Sequence, residues 1–203
     1  MKTKVADWLN RSDLSSVLGD FVNMAIKRVE RECNLNYMIT SATGTLSTDL
    51  IALPTTYKET NALILTTSGV DYYLKKDSYP HLISVFNTES ATERPRSFAT
   101  IPAGTSVMLR PYPDSTTVYT YELIYYLYSA EMTSDSETHW LMTNAWEIVL
   151  YGAMLEAAMY IVDSDRLATV ELKYNQFKQL LVDSERDEEF TGYQTAKTGY
   201  MGG

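Results

Sequence analysis

The sequence predicts an α+β protein, a helical bundle of three main helices with an inserted antiparallel β domain, and three observations carry that reading. Leu14, Leu18, Phe21 and Ala25 recur in steps of four and three, the period of an amphipathic helix. From about residue 43 to 129 the chain changes to short alternating runs broken by turn residues. Helical spacing then returns, first in a run apolar on most sides and then in a seam of Leu167, Val170, Tyr174, Phe177 and Leu181. The expected division is therefore a helical domain from residues 1–40 and 131–187, a β domain over 41–130, and an extended C-terminal tail over 188–203.

The first helix lies in "SDLSSVLGDFVNMAIKRVERE", with Ser12 and Asp13 as its capping residues. The strands lie in "TLSTDLIALP", "NALILTTSG", "VDYYLKK", "SFATIPAGTSVMLRPYPDS" and "VYTYELIYYLYS". In the last of these, Tyr119, Tyr121, Leu123, Tyr125 and Leu127 share one face, and the opposite face also carries aromatic residues. Between strands, "DSYPHLISVFN" makes a short helix that tolerates Pro80 in its first turn. After the polar loop "SAEMTSDSETH", Asn144 and Glu147 stand at capping-box spacing ahead of the apolar run. The end, "RDEEFTGYQTAKTGYMGG", shows no period, and a partner would be needed to order it.

Composition narrows the function classes. A net charge of −9 over 203 residues removes the electrostatic drive for simple binding of nucleic acid. The apolar run from Ile148 to Val162 would rise roughly 22 Å as a helix, short of the ~30 Å of a bilayer core, so it reads as a buried helix and no membrane association is expected. The single cysteine, Cys33, forms no internal disulfide, and the first residues lack the apolar core of a signal peptide, which places synthesis in a reducing cytoplasm. Sixteen tyrosines against five phenylalanines favour surfaces that are apolar in body and wet at the tip, as interfaces are.

Little in the chain points to catalysis or to a cofactor. The two histidines, His81 and His139, stand in no metalloprotease, phosphate-loop or nucleophile-elbow motif. Asp135, Glu137 and His139 alternate along a loop and are weighed as metal ligands, but the expectation is a solvated loop and no metal. The aspartates of "DSD" at 163–165 lack the glycine and glutamate of a calcium loop, and favour instead the start of the last helix. Arg94, Arg96 and Arg110 with Phe98 and Tyr112 are either a small basic and aromatic patch or an exposed strand surface.

The feature that does call for explanation is Glu156, the interior charge of the apolar helix. On a helical wheel it lies beside Gly152 and Ala153, small residues that let another helix approach closely. The first helix has a matching oddity, Arg28 on the continuation of its apolar seam, with Arg31 a turn away. Either Glu156 meets Arg28 or Arg31 across a helix contact, or it reaches solvent beside a broken apolar face. A helix apolar on most sides also needs more cover than one neighbour gives, which points to an oligomer.

These residues resemble a known family. "WLNRSDLSSVLGDFVNMAIKRVERE", "RPRSFATIPAGTSVMLRPYPDSTTVYTYELIYY" and "THWLMTNAWEIVLYGAMLEAAMYIVDSDR" are similar to the head-to-tail adaptor, or head completion and connector, proteins of short-tailed bacteriophages, over residues 5 to about 185. The resemblance implies a structural virion protein at the head-tail interface, in a homo-oligomeric ring of typically twelve copies between the portal protein and the tail nozzle protein. It implies that the helical domain forms the ring wall and that the C-terminal tail, with Phe190, Tyr193 and Tyr200, docks on the portal. It carries no enzymatic activity onto any residue. Genome DNA would pass through the lumen without specific binding, and an acidic lining would keep its backbone from sticking. The rival reading from another class is a receptor- or glycan-binding tail module whose tyrosine-rich strands form the binding face.

Overall fold

The computed structural model describes the chain apart from residues 12, 47–49, 87–93, 104–105, 113–116, 135 and 195–203, and gives the backbone alone at 86, 103, 106–108 and 187–194. The chain is α+β, with six α-helices and seven strands among the described residues. It divides into two units, Met1–Tyr37 with Ser129–Gly203, and Met38–Tyr128.

The helical unit begins with a helix that the periodicity does not announce. α1 (Lys2–Leu9) buries only Val5 and Leu9, and closes on Asn10 in the left-handed region. α2 (Leu18–Glu32) starts later than its expected caps. Asp13 is held instead by two parallel bonds from Arg11, at 2.7 and 2.6 Å, which lower its carboxyl to a pKa of about 2. A turn in which the N–H groups of Val17 and Leu18 both bond Leu14 O leads into the helix. Ser12 lies outside the described residues. α2 buries Phe21, Val22, Ala25, Ile26 and Val29.

The apolar run is preceded by a separate short helix, α4 (Trp140–Asn144), and α5 (Trp146–Tyr160) follows a break at Ala145. The expected capping box does not form, because the Asn144 amide donates back to Trp140 O at 3.0 Å. α5 is buried at ten of its fifteen positions, Glu156 included. It ends with Asp163 N–H reaching back to Ala158 O around Val162, which is left-handed at φ 58° and 85% exposed. In α6 (Ser164–Gln194) the expected seam faces inward, with Val170, Tyr174 and Leu181 buried. The tail expected to be extended from residue 188 is thus helical as far as Gln194. Once nucleated, a helix propagates at little cost through residues that have no apolar face to bury. No described helix is long and apolar enough to cross a membrane.

The β unit holds β1 (Ile39–Leu46), β2 (Ile51–Ala52), β3 (Tyr57–Thr67), β4 (Val70–Lys76), β5 (Ser97–Ala103), β6 (Ser106–Tyr112) and β7 (Tyr119–Leu127), ordered β1-β7-β3-β4-β5-β6-β2. Its pairs are antiparallel except β4 with β5, which are parallel. This departs from the expected antiparallel sheet, and the cause lies in the connection: α3 (Tyr79–Phe86) crosses between the two strands, where a tight turn would have reversed the chain. β3 and β4 are joined by Ser68 and Gly69, both left-handed, as a two-residue hairpin turn requires.

β1 and β2 are the two edges of the sheet, yet only residues 47–50 separate them, a reach of ~17 Å at most. The sheet must therefore curl until its edges approach. Leu46, Ile51, Leu65, Leu74, Leu109 and Leu123 fill the inside of the curl, and Tyr119 and Tyr125 join them from the expected face of β7. A second, smaller core of Leu82, Ala99, Ile101 and Tyr112 lies under α3.

Candidate functional site

The most constrained place in the helical unit is where α2, α5 and α6 meet. Gly152 on α5 lets α2 approach until a β-carbon at that position would stand 2.9 Å from Ala25 Cβ, with Tyr174 of α6 at 3.5 Å. Ala153 beside it is fully buried. One turn on, Glu156 accepts from Arg28 Nε at 3.0 Å and from Nη2 at 2.5 Å, both at Oε1. Glu156 is 8% exposed and the Arg28 side chain 27%, so the carboxylate is inside and the guanidinium bridges outward. Arg31 takes no part and turns its Nε to Lys27 O at 3.3 Å.

The chain of polar contacts continues onto α6. The Arg28 guanidinium lies 6.0 Å from the centre of the Tyr174 ring, the Tyr174 hydroxyl donates to Glu32 Oε2 at 3.1 Å, and Lys178 donates to the same oxygen at 2.8 Å. Burial, and then the nearby Glu32 charge, push the Tyr174 phenol well above its ordinary pKa. Three helices are thus tied by alternating charges around a small-residue contact.

A second network was not legible from spacing alone. Glu30 is fully buried, and its carboxylate receives the Ser129 hydroxyl, the Ser129 N–H at 3.2 Å and the Tyr37 hydroxyl at 3.4 Å. Lys27 donates to Ser129 O, and Asn23 makes a two-way bond with the Met132 backbone at 3.0 and 3.2 Å. The Tyr37 ring stacks on Trp140 at 4.7 Å. Burial and the Glu30 charge raise the Tyr37 phenol. Tyr37 is the last residue before the β unit and Ser129 the first after it, so one carboxylate holds the chain at both crossings. The signal available in sequence was that Glu30 falls four residues after Ile26, on the buried face of α2.

Ser129, His139 and Glu30 invite comparison with a nucleophile, base and orienter, and their polarity argues against that. His139 Nδ1 accepts from Leu141 N–H at 3.2 Å, capping α4, so the proton sits on Nε2 and points at Ser129 Oγ 2.7 Å away. The serine donates to the glutamate. An activated serine would donate to the histidine, and the acid would accept from Nδ1. The trio is a structural knot.

The other sequence candidates are placed as follows. Glu137 accepts from Thr133 N–H at 2.6 Å, and Asp135 lies outside the described residues. Among the described residues no group of three metal-ligating side chains is found. Asp163 accepts from Arg166 N–H at 3.3 Å at the start of α6. Cys33 is buried. Arg94 lies over Tyr72 at 4.3 Å and Arg110 over Tyr112 at 5.1 Å, whereas Phe98 is in the core and belongs to no surface patch. Phe190 and Tyr193 lie on the last turns of α6, and Tyr200 is outside the described residues.

A family model described as SU10 adaptor protein matches residues 1–197, across both units. No curated protein matches the chain.

Proposed function

The chain belongs to the SU10 adaptor protein family, whose members are phage head-tail adaptors, and from that premise we propose that it forms a ring, of twelve copies, that joins the portal to the tail nozzle and continues the DNA exit channel. It is a structural adaptor of the phage particle. In the proposed arrangement it is made in the host cytoplasm and ends at the head-tail interface of the virion. α2, α5 and α6 form the three-helix bundle of the ring wall, and the end of the chain, with Phe190, Tyr193 and Tyr200, docks on the portal.

The observation that carries the reading is the match over 1–197, which takes in the helical unit, the β unit and most of the tail. Charge supports it. Of the net −9, residues 38–128 contribute −2, from six Lys or Arg against eight Asp or Glu, which leaves −7 on the helical unit. A wall with that balance repels the DNA backbone and lets it slide.

The test is sedimentation of the pure chain, alone and with portal rings. Comigration with the portal is the expected result, and no binding at micromolar concentration overturns the reading. Removing residues 188–203 should weaken docking while the melting temperature holds; undiminished docking would remove the tail's role. The glycan-binding reading finds its best support in an open cleft of about 770 Å³ in the β unit, lined by Pro54, Tyr57, Lys58, Lys76 and Tyr128. Glycan-array binding without portal binding would promote it.

A further inference from the structure

β1 and β2 end the sheet in opposite ways. β2 is two residues long, too short to offer a partner much of a ladder. β1 runs for eight residues, Ile39–Leu46, and pairs with β7 in unbroken register. In an antiparallel ladder alternate residues bond to each side, so about four N–H and four C=O groups of β1 point away from β7. Among the described residues none of these groups has a backbone partner, and β2 is too short to run along them. Edge strands are ordinarily guarded by charge, proline or a bulge. The run "ITSATGTL" has none of the three.

We propose that the free edge of β1 binds an extended segment of another protein, which joins the sheet as a further strand. A row of donors and acceptors at strand spacing is matched by a peptide backbone in the same conformation. The side chains beside the edge then specify the segment. On the outer face Ile39, Ser41, Thr43 and Thr45 are exposed, and in register behind Thr43 stands Glu122 of β7. Glu122 is partly buried and has no hydrogen bond or ion pair among the described residues. Two strand spacings, ~10 Å, separate it from an added strand, a distance that a lysine or arginine spans across the short Thr43. On the inner face Tyr121 of β7 lies across Gly44, where a β-carbon would stand 2.6 Å from the phenol oxygen. The missing side chain at Gly44 lets the ring reach over β1, beside the half-buried Ala42. The segment that fits therefore alternates apolar residues, packed on Ala42 and Tyr121, with polar ones, and carries a cation opposite Thr43.

The experiment titrates the full-length chain with a capped octapeptide of alternating valine and threonine, one central threonine replaced by lysine. Binding should slow amide exchange on the free side of residues 39–46. Methylating two adjacent central nitrogens blocks both edges of the peptide, and should weaken binding roughly tenfold or more. Glutamate in place of the lysine should weaken it about threefold, and Glu122→Lys should reverse that order. The wild-type comparison of the two peptides stands even where the variant does not fold. Equal affinity of the two would overturn the role of Glu122. Binding that survives methylation, protection that falls outside β1, or no binding at ~1 mM peptide would overturn the proposal. Protection of β1 that rises with protein concentration alone would place a second copy on the edge and overturn the foreign segment.

Discussion

Gly152 of α5 faces Ala25 of α2 so closely that a methyl group on the glycine would stand 2.9 Å from the alanine's own. Neither atom is the end of a flexible side chain, so a larger residue moves a helix. Gly152→Ala should cost about 1 kcal/mol, because crowding outweighs the gain in helix propensity, and Gly152→Val about 3 kcal/mol. Urea unfolding measures both. Adding Ala25→Gly to Gly152→Ala should recover part of the loss, and a strictly additive double mutant would contradict the contact.

Glu156 is shielded on α5 and bonded twice by Arg28. Arg28→Ala should destabilise by about 2 kcal/mol, less than the ~3–5 kcal/mol for breaking a fully buried pair, because the guanidinium is part exposed. Replacing both residues by leucine should recover most of that, and Glu156→Gln should fall between. The double-mutant cycle decides: a coupling energy near zero would leave the pair with no role in register.

Val162 ends α5 in a left-handed conformation with its side chain in solvent. A β-branched residue there is strained, and no contact repays the strain. Val162→Gly should raise stability by about 1 kcal/mol, with Val162→Asn between the two. Equal or lower melting temperatures would show that the strain is absent.

Tyr37 and Tyr174 set an alkaline limit. Their phenols are raised in the folded state, by burial first and by Glu30 or Glu32 next. The folded state therefore holds protons that the unfolded state releases near pH 10. The stability this contributes is complete below about pH 10 and is lost as pH rises towards the higher folded values. Unfolding midpoints should fall above pH 10, less steeply in Tyr174→Phe than in the wild type. Ultraviolet titration checks the cause, since both rings should ionise only on unfolding.

Glu30→Ala would leave the Ser129 and Tyr37 donors without their buried acceptor, at a cost of about 2–3 kcal/mol. Amide exchange at Ser129 should quicken. The strands of the β unit should keep their protection, and uniform loss of protection would show that the residue matters to more than the crossings.

The sequence was most informative where burial is periodic. The seam of α2, the all-round apolarity of α5 and the alternation of β7 each repeat over enough residues to outweigh local exceptions. The pairing of Arg28 with Glu156 could be reasoned out because both are charges out of place on an apolar face. α1 has two buried side chains in eight residues, too few to make a period. The break at Ala145 and the missing cap at Asn144 depend on a single bond back to Trp140. Glu30 meets Ser129 from 99 residues away, and no local pattern reports such a contact. The parallel strand pair was hidden because periodicity shows what is buried but not the direction in which a connection returns.

The gathering of Tyr37 and Ser129 at Glu30 makes residues 38–128 a cassette. Both ends of that cassette are fastened to the helical unit by residues the unit itself owns, so whatever is spliced between them meets a finished socket. The crossing points therefore belong to the helical unit, and Glu30 gathers them whatever length of chain runs between.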